Sequence, residues 1–300
     1  MNEKKKLNIL FLLSLICIIA AVVCNSLSAE HRETVAAFGT ENTDRLSSRS
    51  VLMLESEGGR ICYSKNPHQQ MPIASLTKIM TAYVALEKTV ELDREFTFTE
   101  DIIEAMKRAN ASVAGFKPGE RVSLRDMLYG VMLPSGGDAA LGVAMHISGG
   151  EKEFVALMNH YADLLGMKST RFSDATGLDD VNNYSTASDM ALLFSKALKN
   201  DMFLEIITTD SYLTAATEQH KNGILLKSTL TEPMKEYSLD TKILGGKTGY
   251  TTGAGLCLAS YAEVDGHRYV LITLGAGDGE KYPSYHFEDA AVLYDKYYMT

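Results

Sequence analysis

The rhythm of hydrophobic and polar positions changes several times along the chain, and each rhythm predicts a different element. Ile9 to Cys24 is apolar except for Ser14, with Lys4, Lys5 and Lys6 before it and Asn25-Ser26-Leu27-Ser28-Ala29 after it. Basic residues, an apolar core and a small polar end make an export signal. As a helix the apolar run would span roughly 24 Å, longer than an ordinary signal core and short of the ~30 Å bilayer interior, so cleavage and anchoring both stay open. Residues 1–28 are expected to be a signal peptide or N-terminal membrane anchor, with the lysines inside and the rest of the chain outside. Residues 29–47, polar and aperiodic, are expected to be a flexible spacer.

From Ser48 onward the pattern is that of a folded domain. Val51-Leu52-Met53-Leu54 and Ile61-Cys62-Tyr63 flank Ser56-Glu57-Gly58-Gly59-Arg60 and predict two strands joined by a turn. Ser75 to Glu87 turns helical, as do Leu124 to Met132, with Ser123 and Asp126 spaced as a capping box, and Glu151 to Leu165, stopped by Gly166. Met190, Leu193, Phe194, Ala197 and Leu198 form one apolar stripe on a helix from Ala187 to Leu198. After Thr241 the period becomes extended: Gly255–Glu263 and His267–Leu274 flank a turn containing Asp265-Gly266, and a last helix near Phe287–Tyr298 places Phe287, Ala290, Ala291, Tyr294 and Tyr298 on one side. The order predicts an α/β fold of the α+β kind. Both chain ends build one antiparallel sheet flanked by helices (about 48–98 and 242–300), and a helical insertion lies between them (about 99–241).

Composition narrows the partners. The 300 residues are 46% hydrophobic and carry 29 Lys plus Arg against 38 Asp plus Glu, a formal charge of -9, which excludes a general grip on nucleic-acid phosphates. Of the four cysteines, Cys17 and Cys24 lie in the apolar segment, leaving Cys62 and Cys257 as expected free buried thiols. The seven His, including His146 and His160, form no H-E-x-x-H or similar pair, so neither metal nor cofactor is expected.

Three short segments carry chemistry. In Ala74-Ser75-Leu76-Thr77-Lys78 a Ser and a Lys three apart share a helical face, so the amine can reach the hydroxyl near a helix N-terminus that favours developing negative charge. The Lys can take the Ser proton only if burial or a second cation lowers its pKa. In Leu133-Pro134-Ser135-Gly136-Gly137-Asp138 the proline ends a helix and the glycines predict a tight exposed turn that presents the Ser135 hydroxyl. Gly245-Gly246-Lys247-Thr248-Gly249-Tyr250 reads as an extended segment whose small residues admit another backbone, with a Lys and a Thr to hold a carboxylate.

In this order the three resemble the active-site set of penicillin-binding proteins and serine β-lactamases, Ser-x-x-Lys, Ser-x-Asn and Lys-Thr-Gly. The chain resembles most closely the low-molecular-mass serine D-alanyl-D-alanine carboxypeptidases. The similarity runs from about Ser50 to the C-terminus, through Gly177-Leu178-Asp179-Asp180 and Tyr184-Ser185-Thr186-Ala187-Ser188-Asp189-Met190-Ala191. The resemblance implies a β-lactamase/transpeptidase-like fold and removal of the terminal D-Ala from peptidoglycan stem peptides ending in D-Ala-D-Ala, outside the cytoplasmic membrane or in the cell wall. It assigns Ser75 as nucleophile, Lys78 as general base and Ser135 as proton carrier to the leaving amine. Lys247 would keep the site electropositive and depress the Lys78 pKa. Thr248 would bind the terminal carboxylate, Gly249 would leave room for substrate, and the Ser75 and Tyr250 N–H groups would form the oxyanion hole. β-Lactams, imitating D-Ala-D-Ala, would acylate Ser75.

Gly137 departs from the pattern. It stands where the family has an Asn whose amide would bond Lys78 and the substrate backbone, unless water or Asp138 substitutes. Relatives often carry a further β-rich domain and an amphipathic helix, so membrane attachment here is expected through the N-terminal segment. Three alternatives share the motifs. A D,D-endopeptidase has them all. A β-lactamase of the best-known class would need a Glu-x-x-x-Asn that is absent between Arg171 and Tyr184. A degenerate cell-wall binding module is the reading that Gly137 would favour.

Overall fold

The computed structural model describes residues 46–279, 281 and 284–298; the expected signal or anchor and nearly all of the spacer lie outside the described residues. The fold opens with strands β1 (Ser50–Glu55) and β2 (Ile61–Lys65), then a 3-10 turn at Ala74–Leu76 running into helix α1 (Thr77–Lys88). Strand β3 (Glu95–Thr97), α2 (Glu100–Arg108), β4 (Arg121–Ser123), α3 (Leu124–Met132), α4 (Gly137–Ser148) and α5 (Glu151–Leu165) follow. Next come α6 (Ala187–Ala197), α7 (Asp201–Ile207), β5 (Ser211–Leu213), β6 (Leu225–Lys227) and α8 (Thr231–Glu236). The last elements are β7 (Ile243–Thr251), β8 (Gly255–Val264), β9 (His267–Leu274) and α9 (Tyr285–Tyr298).

Both ends of this order meet in one antiparallel sheet, β2-β1-β9-β8-β7. Alternation along β1 sorts its side chains to two cores. Val51 and Met53 join Leu258, Ala262, Leu271, Phe287, Leu293 and Tyr294 on the side covered by α9, while Leu52 joins Ile73, Leu76, Ile79, Ala259 and Ile272 on the side of the helical layer. The interior strand β8 is covered on both faces, which explains why Gly255–Ala262 is apolar without a break apart from Ser260. The Ser260 hydroxyl pairs with the Tyr294 hydroxyl at 2.8 Å, so this buried polar pair is satisfied. Asp265 and Gly266, at φ 51 and 78, make the tight turn predicted between β8 and β9.

Some local expectations change. Ser123 caps α3 by accepting from the Asp126 N–H at 3.1 Å, but the Asp126 carboxylate does not return the bond; it accepts from the Tyr212 hydroxyl at 2.8 Å and the Ala215 N–H at 3.3 Å. The predicted box is half a box because a tertiary partner takes the carboxylate. The expected turn after Pro134 is short: Gly137 is already the first residue of α4, and the Ser135 residue is 7% exposed rather than presented to solvent. Cys62 and Cys257 are both buried and are not joined in a disulfide. No helix among the described residues is long and apolar enough to cross a membrane.

The entry of the chain is pinned to α9. The buried Asp289 carboxylate accepts from the Ser47 N–H at 2.9 Å, the Ser48 N–H at 2.7 Å and the Ser48 hydroxyl at 2.5 Å. Replacing it leaves three donors without an acceptor, so Asp289→Ala should lower unfolding free energy by about 3 kcal/mol in urea titrations. A loss below about 1 kcal/mol would show that the clamp is dispensable.

Candidate active site

The first motif sits where the sheet meets the helical layer. Ser75 lies on the 3-10 turn rather than on α1 itself, after Ala74 in a left-handed backbone conformation with φ 47. That conformation is uncommon for a residue with a side chain and is held by its surroundings. Gly177, at φ 83, packs directly on Ala74: a Cβ there would stand 2.0 Å from the Ala74 carbonyl oxygen, so only glycine permits the approach. One turn on from Ser75, the Lys78 Nζ donates to the Ser75 Oγ at 3.1 Å and to the Thr176 carbonyl at 2.5 Å, with the lysine 3% exposed.

The third motif is β7, whose free edge faces this turn. Gly245, Lys247 and Gly249 alternate onto one face of the strand. A Cβ at Gly249 would lie 3.0 Å from the Ser75 nitrogen and 3.2 Å from the Ala74 Cβ, so a bare backbone is what lets the strand lie against Ser75. Lys247 is 1% exposed and donates to the Thr248 carbonyl at 2.7 Å. The Thr248 hydroxyl, expected to be a carboxylate ligand, pairs with the Thr229 hydroxyl at 2.7 Å. Tyr250, two-fifths exposed, closes the motif with its ring against Gly279.

Two amines buried in one place set the electrostatics. Burial pushes the Lys78 pKa down to about 8, with the carboxylates of Asp174 and Asp138 pulling it partly back. Burial first, and then the neighbouring Lys78, hold Lys247 well below the ordinary ammonium range. The sequence expectation was that Lys247 depresses Lys78. Desolvation is the largest cause at both amines, and their mutual repulsion works in the same direction.

The second motif is placed on the same side. Ser135 stands at the turn between α3 and α4 at φ 61. The preceding Leu133 carbonyl accepts from the Thr229 N–H at 3.1 Å, so Thr229 links this turn to Thr248. Gly137 packs on α2: a Cβ there would be 2.5 Å from the Met106 sulfur, and its own N–H donates to the Ser112 carbonyl at 2.7 Å. Asp138 is no substitute for the missing amide, because its carboxylate is committed to the N–H groups of Ala114 (2.7 Å), Gly115 (2.9 Å), Phe116 (3.2 Å) and Ala139 (2.8 Å). It acts on Lys78 through charge alone.

The Lys78 partner beyond Ser75 is therefore the Thr176 carbonyl, which the sequence did not single out. Asp174 shapes the loop around it, accepting from the Thr176 N–H (2.6 Å), the Thr176 hydroxyl (2.7 Å) and the Gly177 N–H (2.6 Å). Thr81 anchors it by donating to the Ala175 carbonyl at 2.7 Å. A backbone carbonyl has no sequence signature, and Thr229 sits in an aperiodic polar stretch; the only available pointer was the Gly177-Leu178-Asp179-Asp180 segment. No group of three or more His, Cys, Asp or Glu side chains among the described residues could hold a metal ion.

This geometry can remove a proton from Ser75 when the Lys78 amine is neutral. Any reaction that uses Ser75 as nucleophile should accelerate about tenfold per pH unit below pH about 8 and level off above it, because only the deprotonated amine accepts. A profile that stays flat, or turns over near 10.5, would contradict the assignment. Gly137→Asn is expected to cost about 1–3 kcal/mol by crowding Met106. A double-mutant cycle with Met106→Ala should then show a favourable coupling of about 1 kcal/mol or more, and additivity would place the strain elsewhere.

Known proteins carry the same architecture. The family model described as D-alanyl-D-alanine carboxypeptidase matches residues 37–278. The Bacillus subtilis D-alanyl-D-alanine carboxypeptidase DacF is 32% identical over 251 residues, covering 80% of this chain and 62% of DacF, so the chain spans about three-fifths of that relative's length. A D-alanyl-D-alanine endopeptidase of Pseudomonas aeruginosa is 32% identical over 248 residues, covering 83% of this chain and 76% of its own. The crystal structure of a Streptomyces DD-transpeptidase superposes with a TM-score of 0.75 at 29% identity, covering 83% of this chain and 96% of that one, which establishes the fold expected from the sequence. With its fold and the greater part of its length matched, the chain belongs to the D-alanyl-D-alanine carboxypeptidase family of serine peptidases.

Proposed function

We propose that the protein is a serine D-alanyl-D-alanine carboxypeptidase that removes the terminal D-Ala from peptidoglycan stem peptides through an acyl-enzyme. The observation that carries this reading is the buried Lys78 amine, 3.1 Å from the Ser75 hydroxyl and with its pKa brought down to about 8. The Ser75 Oγ bonds to the carbonyl carbon between the two D-alanines while its proton passes to the Lys78 Nζ. The C–N bond then breaks, and the leaving amine takes a proton relayed by Ser135. Water next attacks the ester carbonyl, the new C–O bond replaces the bond to Ser75, and the hydroxyl regains its proton.

Charge that develops on the carbonyl oxygen would be met by the Ser75 and Tyr250 N–H groups, each such donor being worth ~3–4 kcal/mol where one has been removed. Gly249 gives the substrate room along β7, and Lys247 and the Thr248 hydroxyl receive its terminal carboxylate, with Thr229 exchanging its bond to Thr248 for the substrate. Gly137 brings no side chain to the substrate. The N-terminal segment, cleaved or retained as an anchor, would deliver the enzyme to the outer face of the cytoplasmic membrane or the cell wall, and β-lactams would act as inhibitors.

A second reading has its own support. Relatives named as endopeptidases are matched as well as those named as carboxypeptidases, the Pseudomonas aeruginosa one over 76% of its length, so a D,D-endopeptidase cutting cross-links is the alternative. Intact-mass measurement of the full chain in detergent with benzylpenicillin should give an adduct that Ser75→Ala abolishes, and a pentapeptide ending in D-Ala-D-Ala should release free D-Ala. Cleavage confined to purified cross-linked muropeptide dimers would favour the endopeptidase. The absence of any adduct would overturn the acyl-enzyme reading and leave the binding module.

A further inference from the structure

The loop from Asp174 to Tyr184 holds the site from two sides, and one of its carboxylates takes no part in the steps above. On the nucleophile side the loop gives the Thr176 carbonyl to Lys78, lays Gly177 on Ala74 and donates from the Asn183 amide to the Thr77 hydroxyl at 3.1 Å. On the sheet side Asp179 accepts from the Thr251 hydroxyl at 2.5 Å and from the Gly253 N–H at 3.2 Å. The Thr251 oxygen accepts in turn from the Ala254 N–H at 3.1 Å, closing the turn between β7 and β8 around the carboxylate. A Cβ at Gly253 would come within 2.9 Å of the Asp179 oxygen, so the turn is shaped to admit it.

Thr251 is the last residue of β7 and follows Tyr250 directly. Only one side of that strand end is paired in the sheet, Tyr250 opposite Leu256 and Thr251 opposite Gly255. We propose that Asp179 is a positioning residue: by bonding Thr251 and Gly253 it fixes the end of β7, and with it the Tyr250 N–H, at the separation from Ser75 that the developing oxyanion requires. The loop then acts as a strut whose one end sets the base and whose other end sets the oxyanion donor. The proposal rests on the acyl-enzyme reading. Asp179 is exposed, so its bonds contribute little to global stability and their effect should fall on the chemical step.

The test is the concentration dependence of benzylpenicillin acylation in the full chain, followed by intact mass, with melting temperature measured alongside. Asp179→Ala and Thr251→Val should each lower the limiting acylation rate about tenfold, with the half-saturating concentration within about twofold of the wild type and an unchanged melting transition. The double substitution should be no slower than the slower single one, since both break the same connection. Asp179→Asn, which keeps one acceptor oxygen, should fall between, and Asp180→Asn, which removes a neighbouring charge without touching the turn, should match the wild type. A limiting rate in Asp179→Ala within about twofold of wild type, losses that multiply in the double variant, or a loss confined to half-saturation would overturn the proposal. A wild-type chain that forms no adduct would overturn the acyl-enzyme reading and this proposal together, whereas equal rates in wild type and Asp179→Ala would remove this proposal alone.

Discussion

Burying Lys78 and Lys247 together is the constraint on which the site depends. An ammonium group withdrawn from water is stable only if it finds acceptors or gives up its proton, and two of them in one dry place cannot both stay charged cheaply. Lys78 finds the Thr176 carbonyl and the Ser75 hydroxyl, and Asp174 and Asp138 lie near enough to hold its pKa near 8 rather than let it fall further. A base is most useful when its pKa lies near the working pH. The fold carries a corresponding burden: a shift from 10.5 to about 8 is worth roughly 3 kcal/mol. That burden is present in full below pH about 8 and is shed as pH rises toward 10.5, since the folded state there binds fewer protons than the unfolded chain.

The surrounding structure keeps those amines dry and aligned. Gly177 and Gly249 each remove a side chain where two backbones must touch, one beneath Ala74 and the other beside Ser75. The Ala74–Leu76 turn is thereby held between the Asp174–Tyr184 loop and the edge of β7. Asp138 performs a related task at a distance, gathering the Ala114, Gly115 and Phe116 N–H groups so that the segment after α2 packs against α4. Met106 fills the space beside Gly137, and the shape of that wall is complete without an amide.

Much of this was legible in the sequence, for identifiable reasons. The strands of the sheet alternate or are uniformly apolar, and the Asp265-Gly266 turn is a strong local signal, so the architecture followed from period and turn chemistry. Ser75, Lys78 and Lys247 were visible because their residue types and spacing carry chemistry. Strands of three residues such as β3 and β5 are too short to show a period. The burial of Ser135 was hidden because Pro and Gly mark a turn without saying which elements cover it. Thr176 and Thr229 escaped because one acts through its carbonyl and the other through a long-range hydroxyl pair. The source of the Lys78 shift was likewise a tertiary property, since desolvation is set by packing that no spacing reveals.

The central claim is that Lys78 is a buried amine able to lose its proton near neutral pH. Its most direct test is a carbon-13 NMR titration of the lysine side-chain carbons in the full chain, with the Lys78 resonance assigned by its absence in Lys78→Arg. The account predicts a midpoint near about 8, whereas a midpoint at the ordinary 10.5 would mean that water reaches the amine and would contradict it.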